Sequence, residues 1–299
     1  MKTIKIGYLP LYIKLYDDSN PRSRDPLVRH MRTLVSMLES EGLEVVVADV
    51  CRIRPEFDAA AKLFNEAGVD AVVTQHLAYS PSEESIGALL SLDAPIIVLD
   101  TTPDYELLST AGYQSGIMKN HGIHGVQDMC NLLRQNGRRY DIRAGHALHG
   151  EVIAEVAALC RAAAVRKAYR SARVGSVGGS FEGMGDFFIE AENFRKRIGA
   201  EVFHMDADAV RRYVDQVTDE EIDAEIAWDR RRFQFEIEDF DNYRLALRSG
   251  LAIRKWAEDM RLSACTVNFL TLDQCGMPKM PFHECSKMLM RGLGYAGEG

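Results

Sequence analysis

Ile4-Lys5-Ile6-Gly7-Tyr8-Leu9, Leu43-Glu44-Val45-Val46-Val47-Ala48, Ala71-Val72-Val73-Thr74 and Pro95-Ile96-Ile97-Val98-Leu99 decide the fold. Each is a short run rich in β-branched and aliphatic residues, bounded by glycine, proline or aspartate, and so reads as a strand. Between them lie segments with apolar residues at helical spacing. In the first, Leu27, Met31, Leu34 and Leu38 recur until Gly42; Asp25 is expected to cap this helix, with Pro26 in its first turn. Further helices are expected over 56–67, closed by Gly68, and over 81–90. Near-continuous aliphatic strands alternating with helices imply a parallel sheet covered on both faces.

The alternation continues with a loop over 100–122, helices over 123–135 and 147–166, and a short strand over 140–144. The charged stretch Arg166-Lys-Ala-Tyr-Arg-Ser-Ala-Arg173 then marks a boundary, after which a second α/β unit opens with a strand at 173–177. A glycine-rich turn, a helix over 185–197, a strand over 201–204, a charged helical region over 206–260 and a strand over 264–269 follow. The fold class is therefore α/β, with two doubly wound, parallel-sheet (flavodoxin/Rossmann-like) domains at 1–170 and 171–299.

Composition narrows the chemistry. Across 299 residues, 36 Lys and Arg face 44 Asp and Glu, a net charge of −8. That balance argues against a nucleic-acid surface. Six scattered cysteines lack metal or disulfide spacing and suit buried thiols in a cytoplasmic protein. No apolar run approaches the roughly 18 residues that a membrane span needs.

Ligands of open parallel sheets bind beyond the carboxyl ends of the strands. Polar and aromatic clusters fall at three such ends: Tyr12–Tyr16, His76–Ser80, and Asp100-Thr101-Thr102. His146 and His149, placed on one expected helix, stand a turn apart, although two imidazoles do not make a metal site. The run Gly175–Asp186 follows a strand, yet its spacing is not that of a dinucleotide loop. The charged run 219–232 reads as solvated helix faces. The chain ends Gly-Leu-Gly-Tyr-Ala-Gly-Glu298-Gly, which by itself reads as a frayed tail sooner than as a turn carrying a metal-binding or catalytic carboxylate, although it suits one.

These residues fall into one register. Leu15-Tyr16, His76 with Tyr79-Ser80-Pro81, Asn120 with Ile123-His124-Gly125, Gly145-His146, Phe181–Met184, Thr266–Phe269 and the terminal Gly-Tyr-Ala-Gly-Glu298 resemble, in order and spacing, the L-arabinose and L-fucose isomerase family. The resemblance implies an aldose–ketose isomerase in which Mn²⁺ holds the open-chain sugar while two glutamates move a proton between C1 and C2. Glu298 matches one of them, as base and metal ligand. Leu15, Tyr16, Tyr79, His121, His124, Met184 and Phe269 match sugar-contacting positions. His121 and Ile13 stand where the arabinose enzymes carry Gln, which leaves the sugar open. The resemblance further implies a homo-oligomer, trimer or hexamer, with sites completed across subunits. It also implies a third, C-terminal domain holding the other glutamate and the metal-binding histidines. Without it, the 299 residues alone are expected to be inactive. The competing expectation is a non-catalytic sugar-binding or regulatory α/β protein.

Overall fold

The computed structural model describes residues 3–106 and 113–297. The chain divides into two compact units, Met1–Lys167 and Ala168–Gly299, each with its own parallel sheet.

In the first unit the strands are β1 (Ile4–Leu11), β2 (Leu43–Val47), β3 (Ala71–His76), β4 (Ile96–Asp100) and β5 (Tyr140–Ala144), in the order β2-β1-β3-β4-β5. All four pairings are parallel. The helices are α1 (Lys14–Ser19), α2 (Asp25–Ser40), α3 (Arg54–Ala67), α4 (Ser82–Leu90), α5 (Tyr113–Asn120), α6 (Gly122–Gln135) and α7 (Val152–Arg170). They form two layers. Leu27, Met31, Leu34 and Leu38 of α2 pack with Val152, Val156 and Cys160 of α7 in one core. Phe57 and Phe64 of α3, Leu89 of α4 and Met129 and Leu133 of α6 fill the other. Burying both faces of the sheet explains why its strands read as continuous aliphatic runs.

The second unit repeats the plan. Its strands are β6 (Arg173–Val177), β7 (Glu201–Met205), β8 (Ala264–Val267) and β9 (Gly294–Ala296), ordered β7-β6-β8-β9 and all parallel. Its helices are α8 (Ala191–Arg197), α9 (Ala207–Asp215), α10 (Asp219–Arg230), α11 (Phe240–Asp259) and α12 (Phe282–Met290).

Several expectations need correction. Asp25 does not cap α2: Arg24 occupies the cap, and no side chain bonds there. The loop expected over 100–122 contains α5, and α7 begins at Val152 rather than 147, so His146 and His149 lie in a turn before the helix. The helix expected from Gly185 begins at Ala191, because the glycines ahead of it cost too much backbone entropy in a helix. Strand β9 and helix α12 escaped notice; at three residues, β9 is too short to show a period.

The largest departure is the run 219–232. Its helix turns Ile222, Glu225, Ile226 and Asp229 inward, with Glu225 and Asp229 buried. Gly250 of α11 makes room for α12, since a Cβ there would fall 2.4 Å from Glu284 Cβ. Lys287 of α12, 1% exposed, then reaches α10, with Nζ 2.6 Å from Glu225 Oε1 and 2.6 Å from Asp229 Oδ1. Arg254 of α11 donates to Glu284 Oε1 at 2.8 Å and to Glu225 Oε2 at 3.0 Å. His283 Nε2 and the Tyr243 hydroxyl both meet Asp229, the former at 2.8 Å. Burial works against the Glu225 charge, but the bonds from Arg254 and Lys287 prevail and hold its pKa down at about 2.

Removing one partner from such a network strands the others in low dielectric, where an unpaired charge is costly. Lys287→Met, similar in volume but neutral, is expected to lower unfolding free energy by about 3–5 kcal/mol in urea denaturation. A loss below about 1 kcal/mol, the scale of a surface pair, would show the network to be incidental.

Candidate functional site

In a parallel sheet ordered 2-1-3-4-5, the chain leaves β1 and β3 toward opposite faces, which opens a crevice beyond their carboxyl ends. Leu11 pairs with His76 at that point. The residues that follow these two strands, together with the start of α6, form one cluster.

His76 is its floor. It is buried, and neither ring nitrogen has a hydrogen-bond partner among the described residues. Burial drives its pKa down to about 3, opposed only by Asp128, so the imidazole stays neutral at ordinary pH. Helix α6 lies directly upon it. A Cβ added at Gly122 would sit 2.6 Å from the His76 carbonyl oxygen, and one at Gly125 would sit 2.5 Å from His76 Cδ2. Only glycine allows that approach, and it brings His121 and His124 to the strand ends.

Above that floor, the Tyr16 hydroxyl from α1 lies 3.1 Å from His121 Nδ1. The His121 ring stands 4.6 Å from that of His124 and 5.6 Å from that of Tyr79. Burial, then the neighbouring His124, lowers the His121 pKa, while burial raises that of Tyr16. The His121 imidazole and the Tyr16 phenol are thereby favoured in their neutral forms, in which each both donates and accepts hydrogen bonds. The Tyr79 hydroxyl donates to Asp128 Oδ2 at 3.3 Å, and Tyr12 packs edge-on to Tyr16 at 6.0 Å. His124 is exposed, Tyr16, Tyr79 and His121 are half-buried, and Leu15 is 61% exposed on α1. Next to them opens a cavity of about 770 Å³, lined in part by Tyr12, Tyr16, Asp104, Tyr105, Lys119 and Asn120. Buried Asn120 bonds Asp104 through both amide atoms, at 3.1 and 2.9 Å.

Met184 and Phe269 belong to the second unit, in the equivalent place. They follow β6 and β8, the pair at which the strand order of that sheet reverses. The Thr271 hydroxyl donates to the Gly178 carbonyl at 2.6 Å and fastens the two loops together. Phe269 packs on Phe181 at 5.0 Å and on Phe282 at 6.4 Å. Met184 is 46% and Phe269 42% exposed, so an aromatic and thioether surface faces outward there. Phe282 was not singled out in the sequence; it opens α12, a helix the sequence reading missed, and nothing local marked it. Glu298 lies outside the described residues. Among those described, no three His, Cys, Asp or Glu side chains come together as a metal-ion site, and no helix is long and apolar enough to cross a membrane. Five of the six cysteines are buried, Cys275 is half-buried, and all are free.

No protein-family model matches the chain. Among curated proteins it is 23% identical over 287 residues to the L-arabinose isomerase of Acidothermus cellulolyticus, an alignment covering 91% of this chain and 56% of that enzyme. It is 23% identical over 290 residues to the L-arabinose isomerase of Herpetosiphon aurantiacus, covering 93% and 57%. The L-arabinose isomerase of Shewanella baltica is 24% identical over 269 residues, covering 86% and 53%. The chain thus spans about half the length of the curated relatives it matches.

His76 supplies a direct test of this local structure. A histidine whose pKa is depressed by folding stays neutral in the native state, while the unfolded chain takes up a proton below about pH 6.5. Stability therefore falls as pH drops from about 6.5 toward the folded value, by up to about 1.4 kcal/mol per pH unit. His76→Leu should flatten that slope relative to wild type in denaturation curves at pH 7, 6 and 5. Parallel slopes would mean that His76 titrates normally.

Proposed function

We propose that the chain forms the substrate-binding part of an aldose–ketose isomerase acting on an L-arabinose- or L-fucose-type sugar. The observation that carries this reading is the site at the β1–β3 reversal, where Tyr16, Tyr79, His121 and His124 converge. Alignment with L-arabinose isomerases over about nine-tenths of the chain supports it.

A polyhydroxylated chain needs groups that donate and accept in one place, with little net charge to desolvate. Neutral His121, bonded to Tyr16, and exposed His124 meet that need and orient sugar hydroxyls. Met184 and Phe269 offer an apolar wall for the C–H face of a sugar. Leu15, exposed beside Tyr16, would with Tyr16, Tyr79 and His124 serve the sugar site of a neighbouring copy within a homo-oligomer. Glu298 takes the part of proton-transferring carboxylate and metal ligand. The described side chains do not by themselves fit a divalent ion, since no three potential ligands gather; Mn²⁺ would rest on Glu298 and on groups outside them. The 299-residue protein is accordingly expected to show no Mn²⁺-dependent ketose formation from L-arabinose or L-fucose, and measurable turnover would contradict that statement.

Sugar binding is separable from turnover. Saturation-transfer NMR, which detects millimolar association, should show L-arabinose or L-fucose contacting the protein. His124→Ala should weaken that signal about tenfold, a loss of about 1.4 kcal/mol, and leave the melting temperature within a few degrees because the side chain is exposed. If neither sugar gives saturation transfer, or His124→Ala binds as wild type does, the site does not recognise sugar as described.

A further inference from the structure

Beyond the carboxyl end of β2, lined by none of the histidine–tyrosine cluster, lies an open cleft of about 700 Å³. Arg24, Arg29, Arg32 and Arg52 line it, with Asp25 and Asp49 among its carboxylates. Four guanidiniums in one cleft stand out in a chain of net charge −8.

Two of the four are fixed in place. Asp17, almost buried, accepts from Arg24 at 3.0 Å and from Arg52 at 2.9 Å. Arg52 also grips Glu56, with contacts of 2.5 and 3.3 Å. Burial opposes the Glu56 charge, but the Arg52 bonds hold its pKa below the ordinary value. Arg24 spends a single N–H on Asp17, out of the five a guanidinium carries.

The other two are unspent. Arg29 and Arg32 stand three residues apart on α2, both exposed. Neither guanidinium makes an ion pair or hydrogen bond among the described residues, and like charges at that spacing repel. An anion between them would relieve the repulsion and take up forked donors that suit phosphate geometry. The Asp25 and Asp49 carboxylates likewise have no ion-pair partner among the described residues. They would repel a ligand that is anionic throughout but would accept hydrogen bonds from hydroxyls. A cleft of this volume lies within the range of small-molecule sites.

We propose that this cleft binds a phosphorylated polyol, with the phosphate on Arg29 and Arg32 and hydroxyls on Asp25 and Asp49. None of the residues argued to contact the isomerised sugar takes part, so the inference goes beyond the isomerase reading and does not depend on it.

Isothermal titration of the 299-residue protein with ribose 5-phosphate, ribose and inorganic phosphate tests the assignment. Ribose 5-phosphate is expected to bind at one site per chain, at least about tenfold more tightly than either ribose or phosphate alone. Arg29→Ala/Arg32→Ala should weaken it at least about tenfold. Asp25→Asn/Asp49→Asn should weaken ribose 5-phosphate while sparing, or improving, inorganic phosphate. All four positions are exposed or half-buried, and an unchanged melting temperature will confirm that each variant is folded. The proposal is overturned if ribose 5-phosphate does not saturate a site, if the arginine variant binds it as wild type does, or if ribose binds equally well. Equal binding of inorganic phosphate and ribose 5-phosphate would likewise overturn it, as a sign of bare anion attraction. Turnover enters none of these readouts, so failure of the isomerase reading leaves the result interpretable.

Discussion

The contact between α6 and His76 sets where everything else at the first site can be. Gly122 and Gly125 bring a helix so close to the end of β3 that any side chain would collide with the His76 ring or its carbonyl. The cost is a buried imidazole whose two nitrogens have no partner among the described residues, and which burial keeps neutral. In return, His121 and His124 stand over the crevice that the sheet order opens, within reach of Tyr16 and Tyr79. Aliphatic layers on both faces of the sheet hold this arrangement in place.

The second unit has an apolar core of its own, with Ile222, Leu251, Trp256 and Val267 among its members, and adds to it a buried charge network. Three helices meet there through Glu225, Asp229, Arg254, Glu284 and Lys287, charges that would be costly in isolation. Fully satisfied buried networks rigidify the helices that share them. Helix α12 leads within a few residues into β9, the edge strand that pairs with β8. The network therefore fixes the register of the chain segment immediately before Gly297 and Glu298. Arg291 at the end of α12 extends it, 3.1 Å from Glu284 Oε1.

The first sheet and three of the four strands of the second were legible in the sequence, because a doubly covered parallel strand is aliphatic throughout and its helices carry a clear stripe such as Leu27-Met31-Leu34-Leu38. Strand ends, and hence the neighbourhood of Tyr16, Tyr79 and His124, follow from the same pattern. Less was legible where polarity and burial part company. Glu225 and Asp229 sit four residues apart in a run of charges, and nothing local tells a solvated carboxylate from one that meets Lys287 about sixty residues away. The cap at Asp25 failed for a related reason: the chain enters α2 through a turn over 21–24 that already bonds to the helix backbone. Glycines 122 and 125 show in the sequence only as helix-weakening residues, and their purpose appears once His76 is beneath them.

The central claim is that the histidine–tyrosine cluster at the β1–β3 reversal recognises a sugar. Histidine side chains report individually in long-range ¹H–¹⁵N NMR spectra, and the chain has eight. Titrating the protein with L-arabinose should move the ring resonances of His121 and His124, and leave those of His204 and His283, in the other unit, in place. Unmoved His121 and His124 resonances at saturating sugar, or shifts confined to His283, would contradict the account.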